Sequence, residues 1–359
     1  SVSMVVLDLF VSLTRFLISL LPECTWPVAV LVEVYLLAGV VITKELLYEF
    51  VNPTAYRTTI DDIVESRFIK RRMSNRGAQS SMVAVVTGAD GTIGNQIVSL
   101  LLKLNFTVHA LVGNAVKMRT LMEKWTEAEK AKIRLYQINF AEPLRVSSYL
   151  AKFVERVEDV DLIVLSAGSL MGGDKVLGYD YTQWVNVISQ VAVFRVLEEK
   201  LTGGCRVVAV SSVCARVGEI SSVPDNMLLR HCYGSFEAYA RSKLLLSIYC
   251  ERLSLSFDSL NSDSSNCRVI SVHPGVVAGG LYRNTNPLVQ LALNQFGNLL
   301  RSPEMAAALV VQAAFSDDIV SGAYYEDGKR IVLGRTVNSQ RREKIYKIID
   351  SAVDELLRK

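Results

Sequence analysis

Residues 82–94 read MVAVVTGADGTIG, a valine-rich apolar run that passes directly into glycines at 88, 91 and 94. Glycine at these places lets the chain turn tightly and lets a pyrophosphate approach the backbone. A helix opening near Thr92 adds free N–H groups and the positive end of its dipole. The candidate phosphate-binding residues are Gly88, Asp90, Gly91, Thr92, Ile93 and Gly94. A glycine triplet is weak evidence alone, and the bland reading is a structural turn. Its weight depends on what surrounds it.

Downstream, short apolar runs recur: FTVHALV (106–112), IRLYQINF (133–140), DLIVLSAG (161–168), CRVVAVSS (205–212) and CRVISVHPG (267–275). Stretches of helical period lie between them, among them the one from Thr92 to Leu104 and YTQWVNVISQVAVFRVLEEK (181–200). Strands buried on both faces and separated by helices imply a parallel sheet with right-handed crossovers. The expected fold is therefore α/β, a doubly wound parallel sheet of the Rossmann-like kind, with ligands at the carboxyl ends of the strands. The triplet then sits at the exit of the first strand, where a dinucleotide loop belongs.

Upstream the character changes. From Cys24 to Thr43 the only charge is Glu33, a length that meets the roughly 20 residues a spanning helix needs. The earlier run VVLDLFVSLTRFLISLLP (5–22) carries Asp8, Ser12, Arg15 and Ser19 at helical spacing, one polar stripe on an apolar cylinder suited to lying in the interface. With no small-residue cleavage site after either run, this reads as a retained N-terminal hydrophobic membrane anchor. A pair of buried core helices is the alternative. The basic cluster Arg67, Lys70, Arg71, Arg72 and Arg76 puts the following domain in the cytosol, and GAQSS (77–81) has linker composition. The expected organisation is membrane-associated helices over 1–50, a basic juxtamembrane segment and linker over 51–81, the sheet domain over 82–335 and an amphipathic helix over 336–359.

Composition excludes several classes. Lysine plus arginine exceed aspartate plus glutamate by only 39 to 36, which leaves no broad basic surface for nucleic acid. Six dispersed cysteines and three histidines suggest neither a metal site nor a disulfide framework, and a reducing compartment fits. The sequon Asn105-Phe106-Thr107 is read as buried beside a strand.

The chemistry is carried by AYARSK (238–243), in which Tyr239 and Lys243 share a helix face one turn apart. The ammonium is expected to lower the phenol pKa from about 10 towards the working pH, making Tyr239 a general acid/base. Ser211 and Ser212 end the fifth strand, Ala167-Gly168 ends the fourth with small residues that let a cofactor pass, and Asn186 lies on the helix between. These residues in this order resemble the short-chain dehydrogenase/reductase family over about residues 80 to 335. By that resemblance Tyr239 exchanges a proton with the substrate oxygen, Ser212 hydrogen-bonds that oxygen, Lys243 also holds the ribose and Asn186 positions a relay water. Pro274, Gly275 and Val276 match the family's PG turn at the cofactor. A second Tyr-x-x-x-Lys, Tyr325 with Lys329, has no serine or asparagine partner and is read as an accident.

The tail SPEMAAALVVQAAF with SGAYYEDGKR resembles the retinol dehydrogenase-like group. Within it LVGNAVKMR, AYARSKLLLSIY and HPGVV are most similar to the polyprenol dehydrogenase/polyprenal reductase type. This implies a membrane-anchored oxidoreductase at the endoplasmic reticulum or lipid droplets that interconverts a hydrophobic alcohol with its aldehyde or ketone, polyprenoid or retinoid ahead of steroid. The resemblance also implies a homodimer. Beyond the PG turn, an apolar flap with Leu288, Leu291, Leu293 and Phe296 would admit a lipid. The glycine spacing follows the extended branch of the family, Asn139 replaces an aspartate set against adenine, and Leu165-Ser166 replaces paired asparagines. Val112-Gly113-Asn114 lacks the carboxylate that binds a ribose, and Lys117 and Arg119 are near, which favours NADP(H); Asp90 argues for NAD(H). The balance leans to NADP(H), with NAD(H) open. The alternative function is a catalytically impaired nucleotide sensor or membrane scaffold that keeps the fold.

Overall fold

Strand β1 (Met82–Thr87) is buried along its whole length in the computed structural model, which describes residues 13–14, 16–17, 20, 26–52, 54–67, 69–70, 81–171, 174–232, 234–259, 267–285, 287–333 and 337–358. It lies inside a sheet with β2 (Phe106–Val112), β3 (Ile133–Gln137), β4 (Val160–Leu165), β5 (Leu201–Val210), β6 (Arg268–His273), β7 (Tyr324–Glu326) and β8 (Lys329–Ile331). The order is β3-β2-β1-β4-β5-β6-β7-β8; every pairing is parallel except β7 with β8. The chain builds outward from β1 to β3, then crosses back to start β4 on the other side of β1. A crevice opens at that reversal, at the carboxyl ends of β1 and β4.

Helices cover both faces. On one side α3 (Thr92–Lys103) and α9 (Pro303–Phe315) bury Ile97, Leu101, Val310 and Ala314 against β1, β2 and β6. On the other, α5 (Pro143–Val154), α6 (residues 181–197), α7 (Ser235–Ser259) and α10 (Ser339–Leu357) bury Leu150, Ile188, Leu245 and Val353. The C-terminal helix α10 is thus a docked part of the main core. It is tied there by Arg195–Asp350 at 2.8 Å and Tyr179–Glu355 at 2.8 Å.

The N-terminal segments differ from expectation. Helix α1 (Trp26–Val51) contains most of the run read as spanning, but it continues through Lys44, Glu45 and Glu49, and these bind the sheet domain. Among the described residues no helix is long and apolar enough to cross a membrane. Leu37 and Val41 of α1 are buried against Val213, Val217 and Ala240, and Tyr35 packs on Phe236 with ring centroids 5.5 Å apart. The lone Glu33 is buried and accepts a hydrogen bond from Thr14 Oγ1 at 2.8 Å. Most of the interfacial run 5–22, and Cys24, lie outside the described residues.

Part of the segment read as juxtamembrane is helical and packs on the sheet domain. Helix α2 (Ala55–Glu65) places Ile63 in the α3/α9 core, and Asp62 accepts from Gln312 at 2.7 Å. Arg71, Arg72, Arg76 and residues 77–80 lie outside the described residues. Cys205 and Cys267, brought together by β5 and β6, form a disulfide that a separation of 62 residues conceals. Asn105 of the sequon is exposed at a φ of 67° in the turn before β2; the buried member is Phe106.

Candidate active site

The glycine loop is shaped by contact as well as by conformation. Gly88 has a φ of 63°, and a Cβ there would lie 2.7 Å from Ala167 Cα. A Cβ on Gly94 would lie 2.2 Å from the Gly88 oxygen, so the first turn of α3 can close on the loop only with glycine at 94. Thr87 finishes the join: its hydroxyl accepts from the Ser166 and Ala167 amides at 2.9 and 3.0 Å and donates to Gln190 Oε1 at 2.7 Å. Such a bond locks the ends of β1 and β4 together beneath the crevice.

Asp90 turns across this loop. Its carboxylate accepts from the Gly113 and Asn114 amides at 3.2 Å each, supplying at the exit of β2 the carboxylate which β2 lacks. Lys117 borders the same space. The Asn114 side chain is turned away from it, capping α4 (Ala115–Met122) by accepting from the Lys117 amide at 2.9 Å. Asn139 forms an Asx turn with the Ala141 amide and donates to Glu142, both at 3.0 Å.

Asn186 sits where α6 widens into a π turn over Trp184–Ile188, a distortion that recurs at functional positions. Its side chain is fully buried and saturated: Oδ1 accepts from the Ser169 amide at 2.7 Å, and Nδ2 donates to the Ser169 carbonyl at 3.0 Å and to Ser242 Oγ at 2.9 Å. It supports the exit of β4 from behind instead of bordering the open space.

Ser212, Tyr239 and Lys243 meet at the end of β5. The Ser212 hydroxyl lies beside the Tyr239 phenol and accepts from the Cys214 amide at 3.3 Å. The companion Ser211 points into α7, bonded to the Lys243 carbonyl and Ser247. Lys243 donates to the Val210 carbonyl at 2.7 Å, and its burial lowers its pKa to about 8, with Cys214 opposing the shift. The phenol departs from expectation. Burial, then Cys214 and Tyr282, push Tyr239 well above 10, and what opposes them is Ser212. The Lys243 ammonium is committed to Val210 and lies 5.6 Å from the tyrosine ring centroid. Helix spacing predicted the pair but not where the ammonium points.

These groups open into one cavity of about 1100 Å³. Of the catalytic and cofactor-binding residues chosen from sequence, all but Asn114 and Asn186 border it; of the flap residues chosen, Leu293 and Phe296 do. Lys243 Nζ and the Gly88–Gly94 cradle leave room beside Gly168, where a Cβ would come within 3.4 Å of the ammonium; these residues fit a nicotinamide dinucleotide. Val276 contributes only its side chain, because its N–H is bonded to Glu45 at 2.9 Å and its carbonyl accepts from the Arg301 amide at 3.1 Å. The far wall is apolar: Ile42 and Leu46 of α1, then Val289, Leu293 and Phe296 of α8 (Pro287–Phe296). Sequence reasoning missed Thr87, Glu45, His273, Tyr282 and Arg301. Only the helical phase of Glu45, one turn beyond Val41, hinted at a face turned inward. Tyr325 takes no part; its hydroxyl accepts from the Val320 amide at 2.8 Å.

Residues 82–224 match the family profile described as short chain dehydrogenase. A polyprenol dehydrogenase of Danio rerio is 24% identical over 72% of this chain and 82% of its own length. Another, of Mus musculus, is 27% identical over 69% and 76%. Among solved structures, a protein from Mycobacterium paratuberculosis aligns with a TM-score of 0.59 at 18% identity, covering 77% of this chain and 94% of that one. A dehydrogenase/reductase from Sinorhizobium meliloti aligns at 0.53 and 20%, covering 69% and 93%.

Proposed function

From a chain that carries a short-chain dehydrogenase domain, we infer a nicotinamide-dependent oxidoreductase that interconverts a long hydrophobic alcohol and its carbonyl compound. The observation that carries this reading is the convergence of Ser212, Tyr239 and Lys243 on one cavity that the glycine loop also borders. The bound nicotinamide would supply or take up the hydride. Tyr239 gives its proton to the substrate oxygen, or takes it back, and Ser212 holds that oxygen through the same hydrogen-bonding group that now faces the phenol. Lys243, which donates to the Val210 carbonyl, would hold the ribose of the bound cofactor. The phenol is protonated at neutral pH, so it can serve as the proton donor in carbonyl reduction.

Polyprenoid and retinoid substrates fit best, ahead of steroids, because the wall from α1 and α8 is extended and apolar and two relatives are named polyprenol dehydrogenase. The outer faces of the same helices expose Leu36, Leu47, Phe50, Val51 and Leu291. In this reading they rest the cavity mouth on a membrane, with the sheet domain on the cytosolic side. Asp90 favours NAD(H) and Lys117 favours NADP(H), so both are used.

The test is turnover of the full chain in detergent with polyprenoid, retinoid and steroid alcohols and carbonyls, followed by nicotinamide absorbance beside Tyr239→Phe. Turnover lost in the variant upholds the reading. Cofactor binding without turnover on any substrate replaces it with a nucleotide-sensing scaffold.

A further inference from the structure

The turn after β6 is held from a part of the chain that lies outside the doubly wound sheet. Pro274–Val276 carries the left-handed Gly275, whose φ is 98° and whose Cβ would fall 2.4 Å from Arg301 Cδ. The Arg301 guanidinium is buried, with Nη1 3.4 Å from the Pro274 carbonyl and 3.0 Å from Asp327 Oδ1, and Nε 3.1 Å from Glu49. On the other side Glu45 accepts the Val276 N–H at 2.9 Å through Oε2. Its Oε1 faces His273 Nε2 at 3.3 Å and Arg301 Nη1 at 3.7 Å. Because His273 Nδ1 accepts from the Val213 amide at 3.2 Å, the imidazole proton lies on Nε2, which meets Glu45 Oε1 as a close contact and not as a hydrogen bond. The same histidine thus links the turn to the backbone that follows Ser212. Lys44 completes the set by binding Asp327 at 2.8 Å.

Carboxylates buried at this depth are costly unless they are paired and hydrogen-bonded. Glu45 is 3% exposed, yet a helix that served only as an apolar anchor would have no need of it. We propose that Glu45 is a positioning residue of the reaction: it clamps Val276 and His273 so that the Pro274–Val276 turn and Ser212 keep a fixed separation across the cavity. Helix α1 is by this account a working part of the site. The inference rests on the proposed oxidoreductase function, since it takes the turn to be where the nicotinamide end of the cofactor lies. Glu45 touches neither cofactor nor substrate.

The test uses the full chain with Glu45→Ala and Glu45→Gln. The readouts are hydrogen exchange of the amides of residues 275–277 without cofactor, and binding of NADH and NADPH by their fluorescence. Loss of a charged acceptor is expected to speed exchange in the turn and weaken dinucleotide binding about ten-fold in Glu45→Ala. Glu45→Gln, which keeps an acceptor for the Val276 N–H, stays within about three-fold of the parent. Exchange in β3, far from the clamp, is unchanged in both. Unaltered exchange in the turn, or an acceleration spread evenly over all strands with the two variants alike, overturns the proposal. A parent chain that binds neither dinucleotide overturns the functional reading and the inference together; binding that Glu45→Ala leaves intact overturns the inference alone.

Discussion

The two walls of the cavity are built in opposite ways. The phosphate end of the cofactor side is made of short-range geometry: a strand, a glycine turn and a helix start, held by backbone contacts such as Gly94 on Gly88. The substrate side is assembled from distant segments, α1 and α8, whose apolar side chains face inward while others face out. One wall is specified by positions where only a few residue types fit. The other needs only hydrophobicity and adequate size, so it can change its ligand without disturbing the fold.

The largest effect should come from the chemistry that the two walls share. Tyr239→Phe is expected to reduce turnover about a thousand-fold while dinucleotide binding, a property of the first wall, stays at the parent level in fluorescence titration. Equal loss of both would mean that the walls are not separable. Next is Lys243, whose pKa is about 8 in the folded protein against an ordinary 10.5. Between those values the unfolded chain binds a proton that the folded chain has released, so stability rises with pH across that window, by about 3 kcal/mol in total. Urea unfolding at pH 8 and pH 9.5 should show that slope, and Lys243→Met should lack it.

Deleting residues 1–51 asks whether the second wall is dispensable. An anchor could be removed with little loss to the domain. With α1 supplying Leu37, Val41, Glu45 and part of the cavity lining, turnover of even a soluble substrate analogue should fall about a hundred-fold. Smaller changes sharpen each wall separately. Asp90→Asn weakens the negative charge over the Gly113 and Asn114 amides and should shift the ratio of NADPH to NADH affinity about ten-fold towards NADPH. Leu293→Ala should raise KM for a long-chain substrate by about five-fold and leave cofactor affinity untouched.

How much could be read in advance follows the same division. The parallel doubly wound sheet, the loop at 88–94 and the meeting of Ser212, Tyr239 and Lys243 were legible because their spacing is set by local periodicity and by the topology of such a sheet. Contacts between remote segments were not. Apolar composition cannot separate a helix bound for lipid from one that lines a cavity, and α1 does the second with Ile42 and Leu46. The Tyr239–Lys243 spacing was right, but the Val210 carbonyl takes the ammonium and burial decides the phenol. Neither the Asp90 bridge to β2 nor the Cys205–Cys267 disulfide leaves a trace in spacing, since each depends on which strands become neighbours.

The clamp on the PG turn joins residues very far apart in the chain. Glu45 waits for Val276, 231 positions later, and Lys44 for Asp327, 283 positions later. At ribosomal rates of about 5–20 residues per second, α1 emerges on the order of tens of seconds before its partners exist. Throughout that interval its apolar face has no protein to cover it. The packing of α1 is thus completed only after the end of the chain has been made, so the site is assembled last although one of its walls is synthesised first.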